Sequence, residues 1–224
     1  MGLIDSLIKD GWLKTPEIIE AFQKIKRVDF LPDDVKDLAE LNEALPIGLG
    51  QTISQPLVVA FMLEQLQPQS GDRILDIGSG SGWTTALLSE ITGLKGRVIA
   101  IDIIPELVKF GEKNAAKYNF IEKGIAKFIC ADGSKGYKNE APFDGILVSA
   151  SVQGELPKSW KEQLKIGGRI VTPIGSSIWR FIKKSEKEVA ETSSHLPPRP
   201  VRRDSAFEAV EYPGFVFVLL IEGR

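Results

Sequence analysis

Three aspartates, Asp76, Asp102 and Asp132, each close an apolar run or stand beside a glycine turn. Between the first two lies Gly78-Ser-Gly-Ser-Gly82, which leads into a helical pattern. Glycine tolerates positive φ and brings no side chain, so backbone at this turn can approach a ligand closely. The N–H groups of the following helix point at the same place. Asp102 comes about twenty residues after the glycines, where a strand-end carboxylate can accept from both ribose hydroxyls of a nucleoside. Asp132, followed by Gly133, closes the next strand pattern, and an acid there can accept from the exocyclic amine of adenine. One aspartate at a strand end is commonly a turn residue. Three on one rim of an open α/β sheet mark the edge where such sheets bind ligands.

The loop discriminates between nucleoside ligands. A dinucleotide site calls for G-x-G-x-x-G, whereas this chain reads G-x-G-x-G with Asp76 two residues before the first glycine. A pyrophosphate would be repelled by that carboxylate. The pattern favours S-adenosyl-L-methionine, and Asp76 either reaches the amino group of its methionine part or orders the loop. The candidate cofactor contacts at the loop are Asp76, Gly78, Ser79 and Gly80, and beyond it Asp102, Ile103, Asp132 and Gly133.

The elements that must position these residues alternate. Strand patterns at 72–77, 97–102, 125–130, 143–149 and 168–173 are separated by helical patterns at 82–91, 105–119 and 156–164. This alternation predicts a doubly wound, mostly parallel α/β sheet with helices on both faces and right-handed crossovers. The stretches 178–183 and 215–221 have no helix between them and are expected to add an antiparallel edge, for seven strands in all. Helical patterns at 3–9 and 15–25 precede the core, the second with Thr15 placed to cap and Pro16 in the first turn. The expected organisation is one domain over 1–224. It comprises an N-terminal helical and substrate-side segment (1–70), a cofactor-binding core (71–185), an irregular loop (186–212) and a final strand (213–224).

A second unusual stretch, Pro46-Ile-Gly-Leu-Gly-Gln-Thr-Ile-Ser-Gln-Pro56, precedes a helical pattern at 57–66. Ser54 stands where an N-cap would stand, so its hydroxyl serves either the helix or a ligand. Other groups carry less. One histidine (His195) and one cysteine (Cys130) exclude an internal disulfide and leave little for a transition metal, so no metal site is expected. Lys+Arg number 28 against 30 Asp+Glu, which gives no field for nucleic acid or acidic lipid. The N-terminus lacks the pattern of a secretory signal, and no apolar run approaches the ~18 residues of a membrane span. These features are those of a reducing, cytoplasmic protein, expected to be a monomer. Arg199, Arg202 and Arg203 in the proline-rich 193–203 stretch read as solvated loop charges.

The pattern resembles the class I S-adenosylmethionine-dependent methyltransferases and, more narrowly, the protein-L-isoaspartate O-methyltransferases. Leu75-Asp-Ile-Gly-Ser-Gly-Ser-Gly82 is similar to the cofactor loop shared by methyltransferases. The Gln51-Thr-Ile-Ser54 run, with Ala131-Asp-Gly133, Ala141-Pro-Phe-Asp144 and Pro173-Ile-Gly175, carries the narrower resemblance. The resemblance implies methyl transfer to the free α-carboxyl of isoaspartyl residues in damaged proteins and peptides. It implies Ser54 as the active-site hydroxyl, Ile53 and Ser54 beside the cofactor, and Asp102 and Asp132 on ribose and adenine. Two relatives of this activity share the same cofactor domain: a peptide aspartyl methyltransferase that forms aspartimide, and a cofactor-binding homologue without transfer. The chain departs from the family at Leu57, where histidine is common, at Ser149-Ala-Ser151, where Gly-Ala-Ala is common, and at Trp83, often tyrosine.

Overall fold

The computed structural model describes residues 2–185 and 206–220. Seven strands form one sheet: β3 (Arg73–Ile77), β4 (Arg97–Asp102), β5 (Ala126–Cys130), β6 (Phe143–Val148), β7 (Leu164–Ile174), β8 (Ser177–Lys183) and β9 (Phe207–Pro213). Their spatial order is β5-β4-β3-β6-β7-β8-β9. Pairings among the first five are parallel, and β8 runs antiparallel to both β7 and β9. The chain reverses its direction of winding at β3, between β4 and β6, which opens a crevice at the carboxyl ends of those strands.

Both faces of the central strands are buried, and side chains alternate between them. Ile74, Val98, Ala100 and Leu147 join one core with α2 (Pro16–Lys24), α3 (Pro56–Leu66), α4 (Trp83–Thr92) and α5 (Pro105–Ala116). Leu75, Ile77, Ile99, Ile101 and Val148 join another around Trp160 of α6 (Lys158–Gln163). Burial on both faces is why these strands read as continuous apolar runs in the sequence. The period also assigns Asp76 to the face of Ile74, under α4.

At the N-terminus, α1 (Leu3–Lys9) packs on α2, and α2 packs against α3 and α4. Thr15 is the N-cap residue of α2, but its hydroxyl makes no capping hydrogen bond. Its hydroxyl donates instead to Glu64 of α3 (2.7 Å), and the Glu64 carboxylate also accepts the amides of Lys14 and Thr15 (2.8 and 2.9 Å). The Pro46–Pro56 stretch and the preceding Leu45 form a two-stranded hairpin, β1 (Leu45–Gly48) and β2 (Gln51–Ile53), turning through Leu49 (φ 56°) and Gly50 (φ 72°).

The end of the chain departs from the sequence expectation. Among the described residues the last strand of the sheet is Phe207–Pro213, which lies almost wholly in the stretch expected as irregular (186–212). It is an edge strand, so its alternation is diluted by exposed Glu208 and Glu211. Pro213 and Gly214 (φ 97°) then end the pairing. The apolar run beyond them crosses the carboxyl end of the sheet, bridging Ser151 at Leu219. Residues 186–205, which include His195 and the Arg199–Arg203 cluster, lie outside the described residues.

The tightest backbone approach lies between the glycine loop and α5. A Cβ on Gly111 would stand 2.8 Å from Phe128 and 2.9 Å from the Gly80 carbonyl. Alanine usually stabilises a helix interior relative to glycine by about 1 kcal/mol. Here Gly111→Ala should instead lower unfolding stability by about 1–3 kcal/mol through overpacking, read from denaturant melts against wild type.

Candidate active site

The loop between β3 and α4 turns through Gly78 (φ 75°), Gly80 (φ 50°) and Gly82 (φ 84°), which lets three residues of backbone face the crevice. Its amides are anchored to the neighbouring strand. Gly78 and Ser79 donate to the Ile101 carbonyl (2.8 and 3.1 Å), and Gly80 donates to Asp102 Oδ2 (2.9 Å). Asp102 Oδ1 accepts from the amide of Ile104 (3.0 Å). Each carboxylate oxygen keeps a lone pair for a further donor.

Around this loop is a cavity of about 350 Å³. Its floor is Gly78, Ser79, Gly80 and Asp102, and one wall is Ile103, Ile104 and Leu107. The hairpin strand contributes Gln51, Thr52, Ile53 and Ser54, while Gly133, Ser149 and Ala150 close the sheet side. The run Val216–Leu220 forms the remaining side, tied down by Ser151 N donating to Val218 O (2.7 Å) and Leu220 N donating to Ser151 O (2.8 Å). Ile47 of the hairpin packs over Gly80. The volume, the mainly apolar wall and a few polar groups suit a nucleoside-sized ligand. Ser79 Oγ is buried in this wall without a hydrogen-bond partner among the described residues.

The sequence-predicted residues do not all meet there. Ile53, Ser54, Gly78, Ser79, Gly80, Asp102, Ile103 and Gly133 line the cavity. Asp76 does not: it is fully buried beneath α4, and its Oδ2 accepts from the hydroxyls of Thr84 (2.9 Å) and Thr85 (2.6 Å). Of the two roles open to it, ordering the loop is the one this geometry performs. Its Oδ1 has no hydrogen-bond partner among the described residues. Asp132 also lies outside the wall. Its Oδ1 accepts from the amide and hydroxyl of Ser134 (2.9 and 2.7 Å), and Lys135 stands 3.4 Å from Oδ2, the local bonding expected of aspartate at a turn. The residue after it does reach the cavity. A Cβ on Gly133 would lie 2.4 Å from Ile77, and the Gly133 carbonyl accepts from the Trp160 indole (2.8 Å).

Ser54 is not the cap of α3. The N-cap position is Gln55, and the amide of Leu57 is taken by the Asn42 side chain (2.9 Å). The cavity wall formed by Val216–Leu220 was not anticipated from the sequence. The signal available was an apolar run following a Pro-Gly break.

The comparisons with known proteins agree on one family. Residues 1–197 match the family model described as Protein-L-isoaspartate(D-aspartate) O-methyltransferase (PCMT). A protein-L-isoaspartate O-methyltransferase of Methanopyrus kandleri is 39% identical over 191 residues, covering 84% of this chain and 83% of the relative. The chain belongs to the protein-L-isoaspartate O-methyltransferase family. Another member, protein-L-isoaspartate O-methyltransferase 2 of Archaeoglobus fulgidus, is 40% identical over 200 residues, covering 88% of this chain and 90% of its own length. The fold is that of a Plasmodium falciparum β-aspartate methyltransferase crystallised with S-adenosyl-L-homocysteine (TM-score 0.82, 21% identity, 99% of this chain and 97% of that one).

Within this methyltransferase fold, Asp76 should leave a pH signature. Burial pushes its carboxyl from the ordinary 3.8 up to about 6, against the two threonine hydrogen bonds that favour the charged form. The folded state therefore holds a proton that the unfolded chain has released, so this group costs stability as pH rises through that window. Wild type should lose up to ~3 kcal/mol relative to Asp76→Asn between pH 4 and pH 7, measured by denaturant unfolding at each pH. Parallel pH profiles for the two proteins would refute a buried, titrating Asp76.

Proposed function

We infer that the chain transfers a methyl group from S-adenosyl-L-methionine to the free α-carboxyl of L-isoaspartyl residues in damaged proteins and peptides, starting their repair. The observation that carries this reading is that the Gln51-Thr-Ile-Ser54 run and the glycine loop share one cavity. S-adenosyl-L-methionine, when bound, supplies an electrophilic methyl group on a sulfonium.

The chain's own residues supply position. Gly78–Gly80 backbone, with Asp102 accepting from hydroxyls, suits the nucleoside and its tail, and Ile103, Ile104 and Leu107 offer apolar surface to a base. The unpartnered Ser79 hydroxyl is a buried polar group that a polar ligand would satisfy. A carboxylate acceptor is already ionised at neutral pH, so no general base is required. This fits a wall whose one ionisable side chain, among the described residues, is Asp102. Rate then comes from holding oxygen, methyl and sulfur in line with water excluded. Ser54 is free of capping duty because Asn42 takes the Leu57 amide, and its hydroxyl orients the acceptor carboxylate.

The near-balanced charge supports polypeptide rather than nucleic acid as the substrate. No described helix is long and apolar enough to cross a membrane. Action as a cytoplasmic monomer completes the reading.

Incubation with S-adenosyl-L-methionine and either an isoaspartyl peptide or its normal aspartyl counterpart should give a methyl ester on the first only, read by mass. Ester on neither peptide would overturn the reading, and ester on the aspartyl peptide alone would point to an aspartimide-forming enzyme. Ser54→Ala should lower kcat by about 100-fold with little change in cofactor affinity. Wild-type turnover in that variant would remove Ser54 from the mechanism.

A further inference from the structure

A buried guanidinium joins the two walls of the cavity. Arg27 begins the 3-10 turn Arg27–Phe30 after α2 and is only 6% exposed. Nη1 donates to the carbonyls of Ala39 (3.1 Å) and Leu41 (2.9 Å), and Nη2 donates to those of Glu43 (2.7 Å) and Ser54 (3.3 Å). The first three carbonyls precede β1, and the fourth belongs to the residue that follows β2. The hairpin is thus clamped at its entry and its exit by one side chain. The guanidinium carbon also lies 5.5 Å from the ring centroid of Trp83, the first residue of α4 and part of the cavity wall.

Among the described residues this cation has no carboxylate hydrogen-bonded to it. Burial pushes it down to about 10, so it remains charged at neutral pH. The Glu40 carboxylate acts on it only through space, so carbonyl dipoles and an aromatic face must offset much of the cost of desolvating the charge, and they do so only in a fixed geometry. The planar fork can serve four carbonyls at once, whereas an ammonium offers three donors from a single point.

We propose that Arg27 is a positioning residue for methyl transfer, setting the Ser54 backbone against the first turn of α4 and so aligning the acceptor side of the cavity with the donor side. The proposal rests on the methyltransferase reading above and adds to it a residue that touches neither reactant.

The test uses the full chain carrying Arg27→Ala, with Arg27→Lys as the second variant should the first fail to fold. Three quantities are measured: kcat on the isoaspartyl peptide, cofactor affinity by calorimetry, and amide hydrogen exchange. The expected result is a loss of about 100-fold in kcat, the scale of an ångström-sized misplacement, with cofactor affinity unchanged. Exchange should speed up in residues 39–54 but not in β3, β4 or β6. Methylguanidinium added to Arg27→Ala should recover part of the lost rate, because it can refill the vacated site, while Arg27→Lys stays low. Wild-type kcat in both variants, or exchange that rises throughout the sheet together with lost cofactor affinity, would overturn the positioning role. Absence of isoaspartyl activity in the wild type would instead strike the functional reading, so the two failures are distinguishable.

Discussion

The carboxyl end of the sheet depends on how closely backbone at Gly82 meets backbone at Gly111. A Cβ on Gly82 would stand 2.7 Å from the Gly111 carbonyl oxygen and 2.9 Å from its Cα. With hydrogen alone on both residues, α5 can lie directly against the turn that starts α4. Asn114, nearly one helical turn further along α5, donates to the Ser81 carbonyl (3.1 Å) and fixes the same contact. Pinned from that side, the loop presents Gly78–Gly80 to the crevice and offers its Gly80 amide to Asp102. A glycine in the middle of α5 costs helix propensity, and this approach is what it permits.

Asp76 completes the pinning from below. Strand alternation sends it to the helical face, where the hydroxyls of Thr84 and Thr85 bind its Oδ2 and hold the first turn of α4 onto β3. The same carboxylate is costly to ionise there, so the loop is ordered by a group that burial opposes. The acids at 76, 102 and 132 therefore do different things despite equivalent places at strand ends. One lies under the loop, one lies in the cavity, and one binds its own turn.

How legible each part was follows from the range of the forces that fix it. The parallel core could be read because its strands are buried on both faces and its helices have one apolar side, so local pattern and tertiary environment agree. The glycine loop was legible because positive φ at successive positions restricts residue type. The β1–β2 hairpin was not, since it turns through Leu49, a non-glycine residue held at φ 56°. The last strand was hidden by its edge position. The run 215–221 read as a strand because it is apolar throughout with no helix pattern before it, yet Pro213-Gly214 diverts Val216–Leu220 to the cavity. Arg27 gave no local signal, because its partners lie 12 to 27 residues away in the chain.

The same contrast in range resolves the ambiguity of Ser54 and the departure at Leu57. A serine two residues before a helical proline reads as a cap when only neighbours are considered. Pro56 has no N–H, so the first amide of α3 that needs a partner is that of Leu57, and Asn42 reaches it from fifteen residues upstream. The Gln55 side chain then binds the Asn42 carbonyl (2.8 Å), locking the segment before the hairpin to the start of the helix. Leu57 packs its side chain against the apolar core and is not part of the cavity wall. An apolar residue at that position therefore leaves the cavity's chemistry to its neighbours. The helix start is satisfied from outside, and among the described residues no hydrogen bond occupies the Ser54 hydroxyl in the cavity wall.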